Sequence, residues 1–255
     1  MTAGVLAPPR RTPVAWAPAA NALAVMDAAK AIHLGVTPSS GWVRTAELSQ
    51  PAGLDLMLRA AARRWQATPH AAATLAWKSY SYWASLPTVL SWAAARRVPL
   101  LSAETTYAQF HDEAPFLTIG IGRVPFAVLP TDALAGTPGT IVVGDEGELL
   151  GVLRRSLLDR HLYPLLDAIR TEVRVGRRTL LGSVASGIAY GMIRASDALP
   201  GSTHESLLRL LAALDLDDLV DICSGDSGLS VQRKTCCLAF TLDQPKICSG
   251  CCIRP

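Results

Sequence analysis

The chain has 255 residues, of which 50% are hydrophobic, 18% charged and 6% aromatic. So long and apolar a chain fills a sizeable core, which excludes intrinsic disorder and collagen-like or low-complexity architectures. A net charge of +3 is a weak bias and argues against a dedicated nucleic-acid binder, which carries a concentrated basic face.

Residues 1–18 hold the basic pair Arg10–Arg11 but no apolar run of signal-peptide length, and prolines interrupt them. A short flexible arm is expected there. Without a secretion signal the expected compartment is the cytoplasm, whose reducing conditions keep clustered thiols available to metal. Asn21 to Leu34 and Leu54 to Trp65 carry apolar residues at helical spacing, the second with Leu54, Met57, Leu58, Ala61 and Trp65 on one face. His70 to Arg97, rich in alanine and tryptophan, is expected as two helices or one kinked at Pro87, because proline removes an interior backbone donor.

The character changes at Pro115. Phe116–Ile121, Val124–Leu129 and Thr140–Gly144 have the β-branched and aromatic content of short strands and predict a small antiparallel sheet around 115–145. Helices resume from Leu149 to Val173 and from Thr179 to Ala195. The uncharged stretch Thr179–Ile193 is too short to span a bilayer, so no transmembrane segment is expected, while peripheral membrane contact stays open. Ser202-Thr-His-Glu205 has the form of a capping box and opens a leucine-rich helix expected to run to Val220. The fold class expected is α+β and mainly helical: a helical bundle (19–222) with the small sheet, followed by a C-terminal cysteine segment (223–255).

Five of the six cysteines, Cys236, Cys237, Cys248, Cys251 and Cys252, fall within the last twenty residues. Such clustering looks like a ligand set added to an ordinary fold rather than a disulfide framework. The spacing is Cys236-Cys237, ten residues, Cys248, two residues, Cys251. A Cys-x-x-Cys pair closes two thiolates on one metal within a tight turn, and Gly250 is expected to give that turn its backbone freedom. Leu238–Thr241 reads as a strand and Asp243–Pro245 as a turn, a hairpin that would bring the two pairs together. Four thiolates suit zinc or an iron–sulfur cluster and exclude magnesium and calcium, which need oxygen. In an extended strand neighbouring side chains diverge, so the vicinal pair favours the longer target of a two-iron cluster over one tetrahedral ion.

The pattern Cys-Cys-x10-Cys-x2-Cys is similar to that of the FhuF-like ferric siderophore reductases, a family of cytoplasmic [2Fe-2S] proteins. Ala76-Trp-Lys-Ser-Tyr-Ser-Tyr-Trp-Ala-Ser-Leu-Pro87 resembles that family's tryptophan-containing helix. His161-Leu-Tyr-Pro-Leu-Leu166 and Leu180-Leu-Gly-Ser-Val-Ala185 resemble its His-Leu-x-Pro-Leu and Trp-Gly-Asn-Val-Ala stretches. Leu181 and Ser183 stand where the family has tryptophan and asparagine, and Cys252 where it often has proline. The resemblance implies that Cys236, Cys237, Cys248 and Cys251 ligate a [2Fe-2S] cluster. It implies one-electron reduction of an Fe(III)–siderophore substrate, releasing Fe(II) for iron assimilation. No phosphate-binding glycine loop, flavin site or nicotinamide site is legible, so a protein or small-molecule electron donor is implied. A zinc-stabilised, non-catalytic binding module is the alternative. Siderophore synthetases, whose C-terminal part resembles the family's main domain, form a third reading, with no room here for their nucleotide-binding portion.

Arg233, Lys234 and Lys246 flank the ligands. Their charge would raise the cluster potential and attract an acidic donor or an anionic chelate, or they are ordinary solvated residues. Cys252 reads as surplus and Cys223 as a small buried residue after a helix. The arginine pairs, among them Arg63–Arg64, Arg96–Arg97, Arg154–Arg155 and Arg177–Arg178, read mostly as solvated helix surface with one or two pairs available to a chelate-docking rim. Asp215, Asp217, Asp218 and Asp221 likewise read as a solvated face. His111 and His161 lack partners at metal-binding spacing and are expected to be structural.

Overall fold

The computed structural model describes residues 14–37, 41–225 and 228–253, and its fold is α+β with helices predominating. Of the expected arm, residues 1–13 lie outside the described residues. From Val14 the chain makes a 3-10 turn in which Trp16 is buried, its ring 4.9 Å from that of Phe126. The helix expected from Asn21 to Leu34 is shorter and earlier. α1 (Ala17–Val25) ends before Asp27, whose left-handed φ of 53° breaks the helix, and Ile32–Leu34 forms strand β1. The alanine-rich stretch between them carries no periodicity strong enough to mark that break.

β2 (Val43–Arg44) leads to α2 (Pro51–Trp65), which begins on Pro51, where a missing N–H is harmless. α3 (Pro69–Ala95) is a single helix through Pro87, where the sequence suggested a break or kink. It is buried on nearly every side by α1, α2 and a later helix, and this packing offsets the hydrogen bond that Pro87 removes.

The strands expected around 115–145 exist but belong to two mixed sheets rather than one antiparallel sheet. β3 (Arg97–Pro99) follows α3, then β4 (Thr106–Phe110) and β5 (Leu117–Ile121). β5 lies between β4, antiparallel, and β1, parallel, and every residue of it is buried, so its sequence reads apolar without alternation. β6 (Phe126–Val128) pairs antiparallel with β3 and parallel with β7 (Thr140–Val142). Strand composition reveals neither the partner nor its direction.

α4 (Glu146–Arg154) starts three residues before the expected Leu149, capped by Asp145, whose carboxylate accepts from the Glu148 amide at 2.8 Å. The chain runs on through a π-helical stretch, Arg155–Leu162, into α5 (Tyr163–Val173). α6 (Arg177–Arg194) packs along α3. α7 (Thr203–Ala213) carries the expected cap, the Ser202 hydroxyl accepting from the Glu205 amide at 3.2 Å. It stops at Ala213 rather than Val220, ahead of Asp215 at φ 53°. The chain then forms an antiparallel hairpin of β8 (Val220–Gly225) and β9 (Gly228–Arg233). Cys223 therefore lies on an exposed strand position and not in a buried one after a helix. No described helix is long and apolar enough to cross a membrane.

Candidate metal centre and its cleft

The cysteine segment leaves β9 and returns against it. The Arg233 amide donates to the Gly250 carbonyl at 2.9 Å, the Gln232 side-chain amide to the Cys251 carbonyl at 3.0 Å, and the Cys251 amide to the Cys248 carbonyl at 3.2 Å. The tight Cys248–Cys251 turn thus forms. Gly250 is required for a reason other than backbone freedom: its φ is not left-handed, and a Cβ there would strike the Val231 carbonyl oxygen. Gly182 on α6 has the same role, since a Cβ would strike the Thr235 hydroxyl.

The strand expected at Leu238–Thr241 is absent. Leu238 takes a left-handed φ of 60° and Ala239–Thr241 form a 3-10 turn, closed by the Lys246 amide on the Ala239 carbonyl at 3.0 Å. Apolar side chains here pack inward together instead of alternating. Cys237, Ala239 and Leu242 form a small core with Leu75 of α3, and Trp65 of α2 packs against it. The hydroxyl of Thr74 reaches the Cys237 carbonyl at 2.9 Å.

All the cysteines are free thiols, and the vicinal pair divides. Cys237 is buried and, with Cys248, lines a cleft, while Cys236 lies against Cys252. Burial, then the neighbouring thiols of Cys236 and Cys251, push the Cys252 thiol above its usual range, and the charge of Arg233 pulls the other way. Cys252, read from sequence as surplus, belongs to the same thiol group. Among the described residues no three His, Cys, Asp or Glu side chains converge around a single ion.

The flanking cations differ. Lys234 is half exposed and pairs with Asp221 at 2.6 Å. Lys246 is exposed on the rim of the cleft. Arg233 is 2% exposed, which removes the solvated reading for this residue. One of its terminal nitrogens donates to the Ser183 hydroxyl at 3.2 Å, while Nε and Nη1 have no partner. A buried cation with two orphaned donors calls for negative charge beside it. A thiolate-ligated iron–sulfur cluster, anionic and rich in sulfur acceptors, fits both that demand and the all-thiol donor set.

The cleft beside the sulfurs encloses about 430 Å³, within the size range of small-ligand sites. Its walls come from α3 (Lys78, Tyr82, Trp83), α6 (Ser183, Ser186, Tyr190, Arg194) and the cysteine segment (Cys237, Lys246, Cys248). The Lys78 ammonium lies 3.9 Å from the Cys237 sulfur. Sequence reasoning missed Lys78, although it is the only Asp, Glu, Lys or Arg between Pro69 and Ala95 in an otherwise apolar helix. Ser183, flagged where the FhuF-like stretch has asparagine, lines the cleft itself and accepts from Arg233 behind it.

Among the described residues none of the paired arginines lines the cleft itself, and Arg64 lies beside it with Trp65 and Lys246. Arg63, Arg96, Arg97, Arg154, Arg177 and Arg178 each pair with a carboxylate, Asp215 and Asp218 among them. His161 is fully buried on the π-helical stretch, its Nε2 2.7 Å from the Tyr80 hydroxyl. Thr45 is the second partner of Tyr80 and gives its own proton to the Ala103 carbonyl at 3.0 Å. Which of the Tyr80 hydroxyl and the His161 ring donates in their contact is set by the imidazole tautomer. Burial lowers the His161 pKa to about 4. His111 lies 2.8 Å from the Thr118 hydroxyl.

No protein-family model matches the chain, and a search of curated proteins finds no match. Among solved structures it is similar to aerobactin synthetase IucA from a hypervirulent pathotype of Klebsiella pneumoniae, with a TM-score of 0.52 and 12% sequence identity. The likeness covers 87% of this chain and 49% of that one, so the chain spans about half the length of the protein it matches. At this identity the likeness is one of fold.

Proposed function

We propose that the chain is a cytosolic ferric siderophore reductase that holds a [2Fe-2S] cluster on Cys236, Cys237, Cys248 and Cys251. The observation that carries this reading is the meeting of an all-thiol segment with a ligand-sized cleft, Cys237 and Cys248 belonging to both. The divided vicinal pair supports two irons over one tetrahedral ion. The shared fold with an aerobactin synthetase supports a domain shaped for siderophore-sized ligands, whereas the synthetase reading leaves the thiols without a role.

Such a cluster, when bound, supplies single electrons beside the cleft. The hard oxygen donors of a siderophore hold Fe(III) far more firmly than Fe(II), so one added electron loosens the metal and spares the chelator. The chain's own residues bring the partners together. Tyr82, Trp83 and Tyr190 offer flat apolar surface to the chelate, Lys78 sets a positive charge between chelate and sulfur, and Arg233 balances thiolate charge from inside. Electrons arrive from a protein or small-molecule donor.

Anaerobic purification followed by iron and acid-labile sulfide analysis, visible absorption and electron-spin resonance tests the cluster. Equimolar zinc with no sulfide would replace this reading by the zinc-stabilised binding module. Reduction of several iron-loaded siderophores by chemically reduced protein, with a ferrous trap reporting release, tests the activity. Failure with every chelate would remove the enzymatic part and leave the cluster standing.

A further inference from the structure

The charged side chains on the cleft wall are all cations: Lys78 from α3, Arg194 from the end of α6 and Lys246 from the cysteine segment. Neither aspartate nor glutamate lines the cleft among the described residues. Among the described residues none of the three cations has a carboxylate within ion-pair distance, whereas Arg63, Arg96, Arg97, Arg154, Arg177 and Arg178 are each matched to an acid. Arg194 is instead braced by neutral oxygens, the Tyr82 hydroxyl at 3.4 Å and the Met26 carbonyl at 3.2 Å. The three lie far apart in sequence and meet only through the packing of α3, α6 and the C-terminal loop.

We propose that this cleft selects ferric chelates of net negative charge, such as catecholates or carboxylate-bearing hydroxamates, over neutral and cationic ones. The proposal rests on the reading of the cleft as the chelate site. Three unmatched cations around a partly enclosed groove, Arg194 and Lys246 exposed and Lys78 half-buried, set a positive potential on the space between them. An anionic complex satisfies them. A neutral complex leaves them partly desolvated without compensation, and a cationic one is repelled, so discrimination comes from the penalty as much as from the attraction. The aromatic surface of Tyr82, Trp83 and Tyr190 accepts the ligand shell of either kind, so charge decides.

Gallium(III) forms complexes of the same charge and nearly the same size as iron(III) but does not accept an electron under these conditions, so binding is read apart from chemistry. Titration of the full-length protein with gallium complexes of a tris-catecholate, a carboxylate-bearing hydroxamate and a neutral cyclic trihydroxamate, followed by tryptophan fluorescence and calorimetry, gives the three affinities. The expected result is about tenfold tighter binding of the two anionic complexes, declining as salt is added. In a K78Q/R194Q/K246Q variant that preference falls to near parity, with far-UV circular dichroism and thermal unfolding as the control for an intact fold. Equal affinities in the unaltered protein, a preference untouched by the substitutions, or no binding of any complex would each overturn the proposal. Selective gallium binding without reduction of the iron complexes would defeat the reductase reading alone.

Discussion

The guanidinium of Arg233 donates to the hydroxyl of Ser183 at 3.2 Å, with no carboxylate partner among the described residues. That arrangement ties β9, which leads into the thiol segment, to α6, which walls the cleft. With the proposed cluster, it also predicts opposite consequences for the metal-free and the loaded protein. In the metal-free protein Arg233→Met removes a buried, poorly compensated charge and should stabilise the fold by about 1–3 kcal/mol. In the loaded protein it removes a positive charge that favours the reduced, more anionic cluster, so the midpoint potential should fall. Arg233→Lys should lie between. Urea unfolding of the metal-free protein and a spin-resonance redox titration of the loaded one check both signs.

The neighbouring Lys234 provides the contrast. Its ion pair with Asp221 is half exposed, where such pairs contribute little. Asp221→Asn is expected to change unfolding free energy by less than about 1 kcal/mol and to leave the potential where it was. A potential shift as large as that of Arg233→Met would show that both charges act on the cluster at long range.

Gly250→Ala places a methyl group against the Val231 carbonyl, which cannot retreat without disturbing β9. The expected cost is about 1–3 kcal/mol, with the turn pushed outward and less iron and sulfide retained per chain. Chemical denaturation and metal analysis report the two effects separately. Retention at the level of the unaltered protein would mean that the turn relaxes at no cost to the ligands.

Burial holds the His161 pKa at about 4, below its ordinary value of 6.5. Between these values the unfolded chain binds the proton and the folded one does not, so stability is complete above pH 6.5 and declines as pH falls toward 4. The full shift corresponds to about 3 kcal/mol. His161→Gln keeps a hydrogen-bonding group for the Tyr80 hydroxyl but cannot titrate, so it should flatten this part of the pH–stability curve. Urea midpoints at several pH values in that window, with and without the substitution, give the comparison.

The legible and the illegible parts separate along physical lines. Helices such as α2 and α7 are visible in the sequence because their apolar stripe and, for Ser202, the cap are local. The extent of α3 through Pro87 is not, because it depends on neighbours from elsewhere in the chain. Strand positions near 117–142 were readable, but the parallel partners of β5 and β7 are non-local choices. In the site, Cys spacing is a local signal and the Cys248–Cys251 turn follows it. Leu238, in a left-handed conformation that its side chain does not advertise, replaces the expected strand with a turn. Of the cleft's cations only Lys246 was legible, from its place beside the thiols; Lys78 and Arg194 join it only after folding, although an isolated lysine in an apolar helix was there to be noticed.

The loop bearing the sulfurs is fastened mainly by its main chain: Thr74 takes the carbonyl of Cys237, Gln232 that of Cys251, and the Arg233 amide that of Gly250. The outward-facing Phe240, Ile247 and Ile253 are among the larger apolar groups left in solvent. Grip and appearance are thereby uncoupled. Mutational drift can repaint the skin around the thiols while the anchor points beneath stay fast.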